Sequence, residues 1–434
     1  MRRALVLALL LVTAGCADLV GFGPREPPDD DTLGWEDGYW YDSPLNVTTE
    51  DGLTEAEREA VVARTMARVE VIRDLEFEES VPVSVITRAA YRERRTGRSS
   101  DPTYEAWNNQ VWEALLLVGE DRNVSQVFDT VFGSSVQGFY SPANDEIVIV
   151  SDSETPQIDR GTLAHELTHA LQDQHFSLGA GAATQDAQLA EDGLIEGDAN
   201  AVQDEYEARC ADDWDCLPRP ERSGGGAPAD FNMGVFLTVF TPYAEGPAFI
   251  EELRDRSGGD WDQVDRAYDD FPASTEQVIH PERYPDDEPV EVTVRNRASD
   301  GWERFDVDPV ADTVGEASVY AMFWANGGID RERSPYNYSH PLSDGWAGDS
   351  LVPYTNGSHG GYVWKLTFES NDDAREFTRA YERVLRDRGA TEVADGVYDL
   401  ASGPFADAFE VTRHGNTVVI VNGPSREALS KIHG

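Results

Sequence analysis

Apolar and polar positions alternate along the chain in patterns that predict both helices and strands. Helical patterns predict helices over 55–74, 103–118, 159–175, 186–208 and 372–387, with further helices in much of 231–270. Thr54 and Glu57 form a capping-box pattern at the start of the first helix. Short runs predict strands at 81–88, 362–370 and 416–423, and two strands joined by a polar turn within 136–152.

The order of these elements predicts an α/β protein with two domains. Residues 16–50 are rich in Pro, Asp and Gly, which is typical of a tether. The main domain is predicted at 52–288. After a boundary near 288, strands and helices alternate to the end, which predicts a smaller α+β C-terminal domain at 289–434 whose role is unknown. A length of 434 residues is sufficient for two cores.

Charge narrows the possible functions and indicates the environment. The chain has 82 acidic and 35 basic residues, a formal net charge of −47. Such a balance excludes a nucleic-acid-binding protein, because phosphate binding requires clustered cations. The acidic residues are spread along the whole chain, which favours a halophilic source where salt screens their repulsion.

The N-terminus has the pattern of a targeting segment. Arg2 and Arg3 precede an apolar run, 4–12, that is too short to span a bilayer. The run leads to "TAGC" at 13–16, which resembles a lipobox and predicts a signal peptide at 1–15 and lipid on Cys16; a plain secretory signal is the alternative. We therefore expect the body of the protein outside the cell, anchored to the membrane through Cys16.

The other two cysteines form a close pair. Cys210 and Cys216 lie in "CADDWDC", and no further cysteine is available for a metal site. In an extracellular protein this pattern predicts a disulfide.

The segment "GTLAHELTHALQDQHF" (161–176) contains the chemistry of a zinc site. His165 and His169 are four residues apart, so on a helix they lie on one face and can bind one Zn²⁺ ion. Glu166 can then act as the general base for the water that zinc activates.

Two residues compete to be the third ligand. His175 lies six residues after His169, as in a metzincin, but that arrangement requires the helix to end at a glycine where this chain has Gln172. If the helix continues, His175 lies about 15 Å along the axis from His165. We favour Glu196 in "LIEGDANAV" (194–202), on a second helix whose small residues allow a close approach. These small residues are Gly197, Ala199 and Ala201, and the reserve ligands are Asp192 and Asp198.

"HELTHALQDQHF" followed by "LIEGDA" resembles a group of gluzincin-like zinc metallopeptidases that includes haloarchaeal surface proteins, and "STEQVIHPERY" (274–284) resembles a further element of that group. The resemblance covers about 52–288. It implies a zincin-like domain with His165, His169 and Glu196 as zinc ligands and Glu166 as base. Many gluzincins have an aspartate four residues after the glutamate ligand, where this chain has Asn200, an uncharged acceptor for the first histidine.

Hydrolysis also requires a donor to the developing oxyanion and a surface that holds the substrate. His280 is the first choice for the donor, followed by Tyr243 and Tyr284. The predicted strand 145–150 is a candidate sheet edge for an extended peptide. The segment 345–361 is interpreted as a substrate-facing loop or a core edge.

The leading hypothesis is a secreted, lipid-anchored zinc metallopeptidase that acts on a peptide or protein substrate. The alternative is a non-catalytic surface protein that retains a zincin fold for structure or binding, although such a protein has no need of Glu166. Zinc-dependent hydrolysis of another bond is also compatible with the motif. The sequence does not determine the substrate or the oligomeric state.

Overall fold

A computed structural model of the chain describes residues 27–28, 31–96, 101–132, 136, 138–153, 155–178, 181–220 and 228–434. The predicted signal peptide and Cys16 lie outside these residues. No helix in this part of the chain is both long and apolar enough to cross a membrane.

Helices and strands alternate through the described residues. The helices are α1 (Glu55–Arg73), α2 (Arg88–Thr96), α3 (Pro102–Ala114), α4 (Val124–Phe132), α5 (Arg160–Phe176), α6 (Gln185–Asp212), α7 (Met233–Arg256), α8 (Asp262–Ala267), α9 (Thr275–Ile279), α10 (Gly315–Ala325), α11 (Asn371–Asp387) and α12 (Arg426–His433). The strands are β1 (Trp35–Glu36), β2 (Tyr39–Trp40), β3 (Val83–Ile86), β4 (Gly138–Ser141), β5 (Glu146–Val150), β6 (Glu303–Arg304), β7 (Trp346–Thr355), β8 (Gly360–Phe368), β9 (Thr391–Ala394), β10 (Val397–Asp399), β11 (Ala408–His414) and β12 (Thr417–Gly423). A 3₁₀ turn covers Pro281–Arg283.

A three-stranded sheet lies in the N-terminal half, in the order β3-β5-β4. β5 pairs in parallel with β3 and antiparallel with β4. The prediction that 145–150 forms a sheet edge is therefore wrong, since β5 is the central strand and β3 and β4 are the edges. The burial pattern explains this order: Ile147 to Val150 are buried, as expected for a central strand, whereas β4 is only partly buried.

Helices α1, α5, α6 and α7 share one hydrophobic core with this sheet. The predicted capping box at Thr54 and Glu57 is present at the start of α1. The sequence predicts that Gly197 faces α5, but this glycine instead contacts α7. A Cβ atom on Gly197 would lie 2.5 Å from the carbonyl oxygen of Gly246, so the two helices cross with their backbones in contact.

The C-terminal part is rich in β structure. Seven antiparallel strands form one sheet in the order β6-β7-β8-β12-β11-β10-β9. Side chains of α10 and α11 contribute to one hydrophobic cluster with the sheet, and those of α12 contribute to a second. The segment 345–361 is not a loop, because β7 occupies most of it and pairs with β8 along its length. The chain is thus a mixed α/β protein.

Packing crosses the predicted boundary near 288. Trp107 and Val111 of α3 belong to the same hydrophobic cluster as Trp364 of β8. The predicted disulfide is present between Cys210 and Cys216, whose Cα atoms are 5.6 Å apart.

Candidate metal centre

Helix α5 carries two of the predicted ligands and the predicted base. The Asp159 carboxylate caps its N-terminus by accepting from Thr162 N–H at 3.0 Å, and the helix ends at Ser177, which is left-handed. The helix continues past Gln172, so His175 lies in its last turn. There His175 Nε2 is 2.8 Å from the carbonyl oxygen of Glu76, which excludes the metzincin-like arrangement in this structure.

Helix α6 brings Glu196 to the two histidines. The Nε2 atoms of His165 and His169 are 3.1 Å apart, and Glu196 Oε2 lies 3.1 Å from the first and 3.5 Å from the second. The two imidazole rings are nearly perpendicular, with centroids 4.6 Å apart. Three potential ligand atoms from two helices therefore converge on one point.

These separations fit a zinc ion. Ligand atoms about 2.1 Å from a tetrahedral zinc are about 3.4 Å apart, close to the three distances found here. Two imidazoles and one carboxylate are a donor set found in catalytic zinc sites, where the fourth position stays open. All three side chains line a cavity, so a fourth ligand has access. The residues present thus match zinc in geometry and in donor chemistry.

The two histidines differ in their second contacts. His169 Nδ1 lies 2.9 Å from Gln172 Oε1, and Gln172 Nε2 donates to the carbonyl oxygen of Ile195 on α6 at 3.0 Å. An Nδ1–H donated to Gln172 leaves Nε2 of His169 free for a metal. The sequence does not predict that Gln172 orients His169, because the contacts of Gln172 depend on how α5 packs against α6.

His165 has no equivalent support. Its Nδ1 atom is buried and, within the described residues, has no hydrogen-bond partner. The sequence suggests Asn200 as the acceptor for this nitrogen, and the structure does not form that contact. The reserve ligands serve elsewhere: Asp192 accepts from Gln188, and Asp198 binds Arg73 at 2.9 Å.

The electrostatics of the trio favour a bound cation. Burial lowers the pKa of His169, but the charge and hydrogen bond of Glu196, together with Glu166 and Gln172, outweigh burial and raise that pKa to about 9. Burial raises the pKa of Glu196, yet the two histidines outweigh it and hold this pKa well below its usual range. An ionised carboxylate therefore sits beside two imidazole nitrogens, a pairing that stabilises positive charge between them.

Glu166 is held against the edge strand. Its Oε2 accepts a hydrogen bond from the backbone N–H of Tyr140 on β4 at 2.9 Å. The Tyr140 hydroxyl in turn donates to Asp173 of α5 at 2.8 Å. β4 thus contacts α5 on both sides of His169, and Glu166 lines the same cavity as the trio.

Tyr243 of α7 completes the polar wall of the cavity. Its hydroxyl donates to Glu196 Oε1 at 2.7 Å, on the carboxylate oxygen that does not face the histidines. Burial and the charge of Glu196 raise the pKa of Tyr243 above its usual range, so it remains a proton donor. Helices α6 and α7 cross where Gly197 contacts Gly246. Tyr243 lies one turn before Gly246, so the crossing brings its side chain to Glu196.

His280 and Tyr284 do not join this site. His280 Nε2 lies 3.1 Å from Glu316 Oε1 and 3.9 Å from Asp344 Oδ1, in a separate cluster. The Tyr284 hydroxyl donates to the carbonyl oxygen of Asp270. His280 is therefore the wrong choice for the donor. His280 lies between α9 and the following 3₁₀ turn, where the chain changes direction. There His280 pairs with Glu316, which lies near the start of α10.

The cavity has a volume of about 1050 Å³. Besides the polar groups above, its lining includes the whole of β4, the aromatic ring of Tyr91, and Arg94. A cavity of this size accommodates several residues of an extended peptide.

Comparison with known proteins concerns only the C-terminal part. A family model described as a domain of unknown function (DUF8575) matches residues 303–433. The match covers the seven-stranded sheet and leaves out the candidate metal centre. No curated protein and no solved structure matches the chain significantly.

Proposed function

We propose that the protein is a zinc-dependent metallopeptidase with a zincin-like fold and a gluzincin-like site. The observation that carries the proposal is the convergence of His165, His169 and Glu196 beside Glu166 in one open cavity. A site that only stabilised the fold would not require a carboxylate next to the ligands.

Each side chain has a distinct role in this proposal. His165, His169 and Glu196 hold the ion; when bound, zinc supplies a Lewis acid that polarises the substrate carbonyl and acidifies water. Glu166 accepts a proton from the attacking water and delivers it to the leaving amine nitrogen. The hydrogen bond from Tyr140 N–H to Oε2 keeps this carboxylate oriented and leaves Oε1 for the proton.

The oxyanion requires a donor, and Tyr243 is the candidate. Its hydroxyl now donates to Glu196 Oε1, at the rim of the trio. We propose that during turnover it donates instead to the carbonyl oxygen of the scissile bond, where negative charge develops.

Edge strand β4 is the proposed substrate platform. All four of its residues line the cavity, and its pairing to β5 leaves the opposite edge, on which Tyr140 N–H already binds Glu166, facing the site. An extended peptide bound as an additional strand would bring a backbone carbonyl near the trio. This argument favours peptides over other hydrolysable substrates.

We further propose that the enzyme acts in concentrated salt at the outer face of the cell membrane, anchored through Cys16. The disulfide and the net charge of −47 support an extracellular, salt-rich setting. One observation favours the alternative, a non-catalytic zinc protein: within the described part of the chain, His165 Nδ1 lacks the acceptor that orients metal-binding histidines in efficient enzymes.

The test compares Glu166→Gln with wild type, using metal analysis and hydrolysis of a peptide library in high salt. We expect one zinc per chain in both proteins and about 10²–10⁴-fold lower hydrolysis in the variant, since glutamine cannot accept the proton. His165→Ala should lose both zinc and activity. Glu191→Gln, which removes a charge from α6 outside the site, is the control and should retain both.

Full activity of Glu166→Gln would refute the mechanism. Stoichiometric zinc in a wild-type protein that cleaves nothing would support the non-catalytic alternative.

A further inference from the structure

A second set of candidate ligands lies away from the zinc site. Glu113 at the end of α3, Glu120 in the loop that follows it, and Asp407 just before β11 place one carboxylate oxygen each within 4.8 Å of one another. Glu113 and Asp407 are buried, with 3% and 4% of their surfaces exposed, whereas Glu120 is exposed.

Backbone contacts hold the three carboxylates together. Glu120 N–H donates to the carbonyl oxygen of Pro404 at 2.9 Å, so the loop after α3 is docked on the segment that leads to Asp407. At Gly119 a Cβ atom would lie 2.4 Å from that same oxygen, so only glycine allows this approach. The cluster is therefore built into the fold and is not a chance meeting of flexible side chains.

Buried oxygen atoms in this cluster lack partners. Within the described residues, the buried atoms Glu113 Oε1 and Asp407 Oδ2 have no hydrogen-bond partner, whereas the other oxygen of Glu113, Oε2, accepts from Gln110 Nε2 at 2.7 Å. Both polar atoms of the Asn422 side chain, Oδ1 and Nδ2, are also buried without a partner; Asn422 lies on β12 beside Gly423, which pairs with Ala408. A buried acceptor without a donor destabilises the fold, and more strongly when it carries charge.

The negative charges of the three carboxylates further destabilise the cluster, because they repel one another. Burial and the charges of Asp407 and Glu120 raise the pKa of Glu113 well above its usual range. Burial and the charge of Glu120 raise the pKa of Asp407 to about 7. Arg122 lines the adjacent cavity, but its guanidinium lies 3.7 Å from Asp230. Among the residues that the structure describes, the cluster thus has converging acceptors and no compensating cation of its own.

We propose that Glu113, Glu120 and Asp407 bind a calcium ion that links α3 to the C-terminal sheet. Hard cations prefer oxygen ligands, and two oxygens bound to one calcium ion lie at most about 4.8 Å apart, a limit within which all three carboxylate oxygens fall. Calcium tolerates irregular geometry and ligands from separate segments, whereas magnesium demands near-ideal octahedral geometry. An adjacent cavity of about 290 Å³, lined by Glu113 and Glu120, provides access and space for water ligands.

The test uses the full chain, freed of metal by a chelator and desalted into constant high salt. Calorimetric titration should find one calcium per chain with higher affinity than magnesium. Calcium about a hundredfold above its dissociation constant should raise the thermal midpoint by about 2–5 °C. The same rise should occur in His165→Ala, which separates this site from the proposed zinc centre.

Matched variants distinguish this site from calcium bound to the acidic surface. Asp407→Asn should weaken calcium binding at least about tenfold, because affinity follows the number of charged ligands. Glu120→Gln changes an exposed side chain, so it should fold normally and weaken binding in the same direction. Glu410→Gln, in β11 near Asp407, is the control and should bind as wild type.

Three results would overturn the proposal. Equal calcium binding by wild type and Asp407→Asn would place the ion elsewhere. Tighter binding of magnesium would exclude a calcium site. A midpoint that is unaffected by calcium but higher in Asp407→Asn at every calcium concentration would show that the two buried acids share a proton instead.

Discussion

At the scale of single residues, the hydroxyl of Tyr243 either orients Glu196 or donates to the oxyanion, and a single substitution distinguishes these two roles. Tyr243 donates to Glu196 Oε1 in the structure and is the proposed donor to the oxyanion. We expect Tyr243→Phe to lower kcat by about 10²-fold or more with little change in KM, because an oxyanion donor acts mainly in the transition state. Steady-state kinetics and zinc analysis of the variant check this.

The Tyr243→Phe variant must retain its zinc for the lower kcat to report on an oxyanion donor. If Tyr243 only orients Glu196, the variant will lose zinc affinity, and added zinc will restore its kcat. Tyr336→Phe is a suitable control, since Tyr336 is an exposed tyrosine that does not line the cavity.

Gln172 offers a second test at this scale. Its Oε1 atom faces His169 Nδ1, and its amide nitrogen binds the carbonyl oxygen of Ile195. We expect Gln172→Leu to weaken zinc binding about 10–100-fold, the usual effect of removing a partner of a metal-binding histidine. Competition with a zinc chelator measures the affinity.

Gln172→Glu separates the two contacts of this side chain. A carboxylate still accepts from His169 but cannot donate to Ile195, so zinc affinity should remain near that of wild type while stability falls. Equal losses of affinity in both variants would contradict a specific role for the His169 contact.

At the scale of helices, the crossing of α6 and α7 sets the distance between Glu196 and Tyr243. α7 contains Pro242 in its interior, and the Thr241 hydroxyl donates to the carbonyl oxygen of Thr238, which the proline cannot reach. The helix thus continues through the proline to Gly246, where it meets Gly197.

We expect Gly197→Ala to lower the free energy of unfolding by about 1–3 kcal/mol despite the better helix propensity of alanine. The added Cβ meets backbone atoms of Gly246, which cannot move independently. Gly193→Ala is the comparison, since its Cβ meets the methyl groups of Val278, and it should cost less. Denaturant unfolding of both variants checks the order; an equal or smaller loss for Gly197→Ala would contradict this account of the crossing.

At the scale of the whole molecule, buried acids determine how stability depends on pH. Burial raises the pKa of Asp186, Asp312 and Glu316 to about 7 each. These folded-state values exceed the usual unfolded values near 4, so between about pH 4 and 7 the folded chain binds more protons. The linkage relation then requires stability to fall as pH rises through that window.

We expect the free energy of unfolding of the metal-free protein to fall by about 2–4 kcal/mol between pH 5 and pH 7.5 at constant high salt. His169 acts in the same sense, because its pKa of about 9 lies above the unfolded value. Denaturant unfolding across this range measures the slope. Asp312→Asn should reduce the slope, and stability that rises with pH in wild type would contradict the prediction.

The sequence alone determined most of the local structure, because helix periodicity, caps and short-range spacing act within a few residues. The sequence pattern predicts the helix that carries His165, Glu166 and His169 at 159–175, and the structure has it at Arg160–Phe176. The disulfide is predictable for the same reason, since its two cysteines are only six positions apart along the chain. Elements with weaker local patterns, such as α10 and β7, were not predicted.

Only the tertiary structure decided which distant groups meet. Tyr243 faces Glu196, and His280 faces Glu316, because of how α7, α9 and α10 pack on α6. No pattern along the chain relates Glu113 to Asp407, whose side chains meet through the docking of α3 on the C-terminal sheet. Local periodicity specifies which face of an element is apolar, but the partner of that face depends on how the whole chain packs.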